Sequence, residues 1–331
     1  VRTALGVAMA AVMAMAASHA FSPRPTPPLA ATTLPVQRMH FNTLVHSSAG
    51  MVAGGELGTL LYSVDEGRSW LPARVSARRQ ALITQVRFDK DGRHGLAVGH
   101  EGWILRSDDG GLSWSELHFD EAQGEPLMSI AQLPSGRILA VGAFGRMLRS
   151  DDQGRSWQRV ELPGVEDKHL NGIVGNEDGT RWLVVGERGL VLQGDAQGEQ
   201  WQMLDPFYNG SFYNAVSLPG QEWLVYGMRG HVFRSDSGAR QWRRAELPAP
   251  ASFFGHARSA DGRLVLVGQG GLLAVSSDEG QRFALQRIGS SATLTDVVAQ
   301  GTRLWLAGEA GLHPHDKLGI TAERAVNGDL R

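Results

Sequence analysis

Two adjacent carboxylates beside a serine could serve as an acid–base pair next to a nucleophile, and the chain offers that arrangement twice. Arg106-Ser-Asp-Asp-Gly-Gly-Leu-Ser-Trp114 returns as Arg149-Ser-Asp-Asp-Gln-Gly-Arg-Ser-Trp157. Catalysis would need the two copies to meet at one substrate; regular repetition would instead mark a structural device. Two further stretches invite chemistry. His313-Pro314-His315-Asp316 places imidazoles near a carboxylate, but the proline and the lack of a convergent third ligand argue against a metal site. Gly268-Gln-Gly270-Gly271 falls short of a dinucleotide fingerprint and reads as a glycine cluster in a hairpin. Neither metal nor cofactor is expected.

The elements that carry these residues repeat along the chain. An apolar run, Gly, two variable residues, Gly and a second apolar run appear as VAGGELGTLLYS (52–63), AVGHEGWILRS (97–107), AVGAFGRMLRS (140–150) and VVGERGLVLQG (184–194). They continue as VYGMRGHVFRS (225–235), LVGQGGLLAVS (266–276) and LAGEAGLHPHD (306–316). The second glycines, Gly58, Gly102, Gly145, Gly189, Gly230, Gly271 and Gly311, recur every 40 to 44 residues. Twelve residues after the first five stand Trp70, Trp114, Trp157, Trp201 and Trp242, and Phe283 follows the sixth. Each unit holds about four short apolar or alternating runs between Gly/Asp turns, the mark of strands. Four strands in roughly 40 to 45 residues make one propeller blade. The chain is therefore expected to be all-β, a seven-bladed β-propeller of four-stranded antiparallel blades. The seventh unit lacks a clear fourth strand, so TLPVQ (33–37) is expected to close the ring as its outer strand, with GITAER (319–324) as the rival.

In this frame the aspartates belong to the turn that joins the third strand to the fourth. Ser63/Asp65/Gly67/Trp70, Ser107/Asp109/Gly111/Trp114, Ser150/Asp152/Gly154/Trp157 and Ser276/Asp278/Gly280/Phe283 share one spacing. Asp can accept backbone N–H bonds there, Gly permits positive φ, and the aromatic can pack between blades. Four copies around a ring cannot converge on one substrate, and Ala196 and Ser237 fill the aspartate position in two other copies. Asp65, Trp70, Asp109, Trp114, Asp152, Trp157, Asp278 and Phe283 are accordingly assigned to architecture.

These copies resemble the Asp-box, or BNR, repeat of several propeller families. The periodic VGxxGxhhRSxDGGxSW pattern over residues 41 to 313 is most similar to the photosystem II assembly/stability factor-like propellers. That resemblance implies a non-enzymatic scaffold that helps assemble or stabilise a membrane complex, with a membrane-associated protein complex as partner. Sialidases share the Asp-box, so a sialidase-like glycoside hydrolase or a glycan-binding propeller is the alternative. The sialidase resemblance would imply an Arg-Ile-Pro element on the first inner strand, but HFNTLVH (40–46) has no arginine there, and FSPRP (21–25) lacks the isoleucine. No catalytic residue is assigned.

Recognition is expected where the copies differ. Arg146, Arg188 and Arg229 sit in or beside the hairpins between second and third strands. Arg106, Arg149 and Arg234 share one repeat position and could form a basic strip, or could lay their stems over the sheet and pair with acidic neighbours. Phe207, Tyr208, Phe212, Tyr213, Phe253 and Phe254 crowd two interblade connections and are candidate partner contacts, or else a plug for the channel.

Composition narrows the remaining classes. A formal net charge of −2 gives no reason to expect nucleic-acid binding, and the absence of cysteine excludes disulfides and thiolate chemistry. The apolar run Leu5–Ala16, preceded by Arg2 and followed by Ser18-His19-Ala20, reads as a signal peptide over residues 1–20. A proline-rich linker at 21–32 and one propeller domain at 33–331 complete the expected organisation. That run is short for a bilayer span, so an exported, periplasmic or extracellular protein, not an integral membrane one, is expected.

Overall fold

The computed structural model describes residues 2–21, 34–122, 124–162, 164–165, 167–301 and 303–316. They belong to two units, Val1–Leu34 and Pro35–Arg331. In the first, Arg2–Phe21 is one α-helix, and its Ala4–Phe21 stretch has mean hydropathy 1.7, enough in length and composition to cross a membrane. This corrects the shorter estimate from Leu5–Ala16, because the helix carries on through Ser18, His19 and Ala20 to Phe21. A signal sequence has the same properties. The remainder of the expected linker lies outside the described residues.

The second unit is the seven-bladed propeller. Its inner strands are Phe41–Ser47, Ile83–Phe88, Leu127–Gln132, Leu170–Gly175, Phe212–Leu218, Phe253–Arg258 and Leu294–Gln300. Six blades have four antiparallel strands in chain order, and Arg74–Val75 adds a parallel fifth strand to blade 2 along Ser113–His118. The second strands Gly95–Gly99, Ile138–Gly142, Trp182–Gly186 and Leu264–Gly268 are buried at every position, and the other three at every position after the first, because a blade faces them on both sides. Their unbroken apolar runs are therefore the cores between blades, where each buried Val or Leu contributes about 1.5 to 3 kcal/mol.

Blade 7 departs from the expectation. Among the described residues it has three strands, Leu294–Gln300, Arg303–Gly308 and Gly311–His315. Among the described residues the predicted closing strand does not form: Val36–Arg38 is a single 3-10 turn, with Pro35 fixing its entry. A Cβ on Gly311 would lie 2.0 Å from the Val36 carbonyl oxygen, as one on Gly271 would from that of Ser290. The N-terminal segment thus takes the place that the interblade connection holds in blade 6. GITAER (319–324) lies outside the described residues. Blades 7 and 1 join instead through their inner strands, where the Leu44 N–H donates to Asp296 Oδ2 (2.8 Å) and Thr295 Oγ1 donates to the Phe41 carbonyl (2.6 Å).

The Asp turns are buckles between neighbouring blades. In blade 2, Asp109 accepts from Ser107 Oγ (2.9 Å), the Ser113 N–H (2.9 Å) and Ser113 Oγ (2.5 Å), while the Gly111 N–H donates to Ser107 Oγ. Trp114 Nε1 donates to the Gly111 carbonyl. The glycine of this turn presses on the preceding blade: Gly111 meets Val52, Gly154 meets Leu117 and Gly67 meets Trp305. The two copies without the aspartate keep the device one residue earlier. Asp195 accepts from the Glu199 and Gln200 N–H groups, and Asp236 from those of Arg240 and Gln241. Reading the motif at fixed spacing missed both.

These hydrogen bonds favour the ionised carboxylate and hold Asp65 and Asp152 down at about 2. Their folded values lie below the unfolded value of about 3.9, so their stabilisation is present above pH about 4 and is lost as pH falls towards 2. Acid unfolding followed by circular dichroism should therefore be shallower between about pH 4 and pH 2 for the Asp65→Asn/Asp152→Asn variant than for the parent.

Candidate functional site

The geometry of the channel begins with a repeated irregularity. Each inner strand breaks register with its neighbour after its first residue, at Phe41/Thr43, Ile83/Gln85, Leu127/Ser129, Leu170/Gly172, Phe212/Asn214, Phe253/Gly255 and Leu294/Asp296. The first residue is buried in every blade. A bulge re-aims the extra side chain, and the extra residues Asn42, Thr84, Met128, Asn171, Tyr213, Phe254 and Thr295 together line a cavity of about 330 Å³ at the channel mouth.

Four of these residues stitch their blade to the next. Asn42 Nδ2 donates to the Ile83 carbonyl (3.0 Å), Thr84 Oγ1 to that of Leu127 (2.7 Å), Asn171 Nδ2 to that of Phe212 (2.7 Å) and Thr295 Oγ1 to that of Phe41. The residue after the bulge repeats the device in the opposite sense. Thr43, Gln85, Ser129 and Asp296 accept the Val86, Ile130, Ile173 and Leu44 N–H groups. Where the stitch is missing, Tyr213 and Phe254 stack with centroids 5.1 Å apart, and Gly255 lets blade 7 approach to Asp296.

In the wall of the mouth and behind it, ionisable groups from several blades act on one another. Desolvation raises the Asp296 carboxyl to about 7, against the opposing pull of the Leu44 and Val297 N–H groups, the Thr43 hydroxyl and Arg87. The Tyr226 hydroxyl lies 2.7 Å from His256 Nδ1. Burial pushes this phenol well above its usual value and holds His256 down at about 4.

The second candidate surface is formed by the Gly-x-x-Gly hairpins at the same end of the ring. In blades 1 to 6 the second variable residue of the hairpin is held at positive φ: Leu57 (54°), Glu101 (58°), Phe144 (52°), Arg188 (54°) and Arg229 (57°), with Gly270 (67°) in blade 6. L-residues adopt this conformation at a cost of about 1 kcal/mol, which glycine avoids. All five non-glycine side chains are exposed, Leu57 by 72% and Phe144 by 53%. In blades 1 to 5 the hairpin thus displays one side chain per blade at a conformational cost.

Several candidates from the sequence fall elsewhere. Phe207, Phe212 and Phe253 are not contact loops but packing: Phe207 stacks on Trp242 (4.7 Å, 10° between planes), and Phe212 and Phe253 are fully buried starts of inner strands. Tyr208 is half-buried and stacks on His231 (4.4 Å). Arg146 is buried as well, donating to Asp120 Oδ2 (2.7 Å) and Glu125 Oε2 (3.2 Å), because its position just after the hairpin turns inward. Arg106, Arg149 and Arg234 lie over their sheets and pair with Asp108, Asp151 and Glu222, so they form no strip of bare charge. Of the sixfold arginine set only Arg188 and Arg229 stand on the exposed hairpins. The bulge ring was not found from the sequence, although aligned repeats place its members in one column directly after each buried first residue.

Residues 73–172 match the family model described as photosynthesis system II assembly factor YCF48. No curated protein matches the chain. Among solved structures it is similar to YCF48 bound to D1 peptide, at 19% identity over 87% of this chain and 96% of that one, with TM-score 0.66. YCF48 from Cyanidioschyzon merolae is 15% identical over 84% and 95%, with TM-score 0.64. Virginiamycin B lyase from Staphylococcus aureus is 14% identical over 85% and 96%, with TM-score 0.71. At such identities the structures speak for the fold. The match at 73–172, which takes in blades 2 and 3 and reaches the start of blade 4, bears out the resemblance to photosystem II assembly factor-like propellers drawn from the repeat.

Proposed function

We propose that this photosystem II assembly factor-like propeller is an exported, non-enzymatic scaffold that binds a subunit of a membrane complex through its hairpin face. The observation that carries this reading is the display of Leu57, Phe144, Arg188 and Arg229 in left-handed hairpin positions. A sequence selected for stability alone would place glycine there. Apolar anchors beside guanidinium groups are the composition of a protein-binding surface. The match to the YCF48 model supports the scaffold role, and the YCF48 structure that carries a D1 peptide supports a protein partner. The apolar helix Arg2–Phe21 supports export. A sialidase-like reading finds little support, because Arg146 is already neutralised by two carboxylates and offers nothing to a substrate.

Affinity purification of the tagged chain from membranes of its native organism tests the proposal. Co-purification of a membrane-complex subunit, without turnover of a fluorogenic sialoside, is the expected result. Recovery of cytosolic metabolic enzymes alone, or sialoside turnover, would contradict it.

A further inference from the structure

We propose that the channel mouth is a binding pocket for one organic cation, a primary ammonium or guanidinium group carried by a small amine or by a basic side chain. The inference concerns a different place from the hairpin face and stands without the scaffold reading. Three features of the wall carry it.

Among the described residues the pocket wall has one carboxylate, Asp296, and no lysine or arginine. Its cavity of about 330 Å³ suits a side chain or a small molecule rather than a folded partner. The stitching between blades also fixes the polarity of the wall. Thr84 and Thr295 direct their hydroxyl protons to the carbonyls of Leu127 and Phe41, so their lone pairs are what remains for a ligand. Asn42 and Asn171 turn their NH₂ groups to backbone carbonyls, which leaves the amide oxygens free to accept. Gln85 Oε1 accepts from Ser129 Oγ and the Ile130 N–H, so its NH₂ group remains a donor, but the carboxylate and the four acceptors outnumber it and call for a donor-rich cation.

The stacked rings of Tyr213 and Phe254 form the third feature, because aromatic faces attract an ammonium or guanidinium group. Asp296 also lacks a counter-ion of its own. Two backbone N–H groups and the Thr43 hydroxyl bind it, none of them charged, and Arg87 acts on it from beyond ion-pair distance, with no salt bridge between them among the described residues. These partners leave burial uncompensated, and the carboxyl is raised to about 7. An incoming cation would supply the missing charge. Tyr226 and His256, from blades 5 and 6, stay neutral near pH 7 and do not compete, while His100 is a further lining residue.

The test is calorimetric titration of the full chain with butylammonium, with a capped lysine tripeptide and with its norleucine counterpart. At about pH 6 the cation should bind with release of protons, because Asp296 must ionise to receive it. Asp296→Asn should abolish the proton release and weaken binding at least about tenfold. Should that variant fail to fold, Tyr213→Leu removes one ring and should cost about three- to tenfold for the lysine peptide. Binding of butylammonium alone would assign the pocket to free amines, and binding of the peptide alone would assign it to a side chain; either supports the inference. Equal binding of the norleucine peptide, no binding of either cation, or binding without proton release would overturn it.

Discussion

Replacing Leu57 and Phe144 together by glycine is expected to weaken partner binding at least about tenfold while raising stability by about 1 kcal/mol. The two effects oppose each other because one backbone geometry causes both. At φ 54° and 52° these side chains strain the hairpin, and the strain projects them away from the sheet. Leu57 is 72% exposed, so its removal forfeits little packing. Phe144 gives up an edge contact with the His169 ring (centroids 5.0 Å apart), which offsets part of its gain. A binding isotherm against the isolated partner and a urea transition together decide the matter. Unchanged affinity with raised stability would show that the two residues are display without purpose.

The second large effect is expected at Gly67, where blade 1 meets blade 7. A methyl group there would lie 2.2 to 2.6 Å from atoms of the Trp305 ring, and φ is +83°. Overlap and conformation together should make Gly67→Ala cost about 3 kcal/mol. Gly262 supplies the control, because it has the same φ of +83° and no atom within 4 Å of an added Cβ. Gly262→Ala should cost about 1 kcal/mol in the same urea experiment. A similar loss at both positions would mean that the junction tolerates repacking. Trp70 adds an edge-to-face contact with Trp305 (6.2 Å), so this corner closes the ring without strand exchange.

The architecture was legible because its rules are local. Gly-x-x-Gly hairpins and Asp turns punctuate the chain at fixed distances, and each second strand announces itself as an apolar run. What escaped the sequence is decided between blades. The bulge after Phe41 and its counterparts depends on backbone register, which no residue type signals. Asp195 and Asp236 preserve the turn from one position earlier because hydrogen-bonding geometry, not spacing, is what the turn requires. The aromatic-rich stretch at Asp205–Ala215 looked like a contact loop. The second strand and outer strand of blade 5 supply Phe212's fully buried setting and the Trp242 face that Phe207 stacks on. Closure at blade 7 was misjudged for a related reason: short runs such as TLPVQ resemble strands, yet Pro35 and the Val36–Arg38 turn lead directly into the first inner strand.

The central claim, that the hairpin face holds a protein partner, is tested most directly by photo-crosslinking within one blade. A photoreactive amino acid is placed at Phe144, on the hairpin between the second and third strands of blade 3. In a second protein it replaces Ser135, on the opposite end between the first and second strands. After irradiation in native membranes, the account predicts a crosslink to a membrane-complex subunit from position 144 and none from position 135. The same products from both positions, or none from 144, would contradict it.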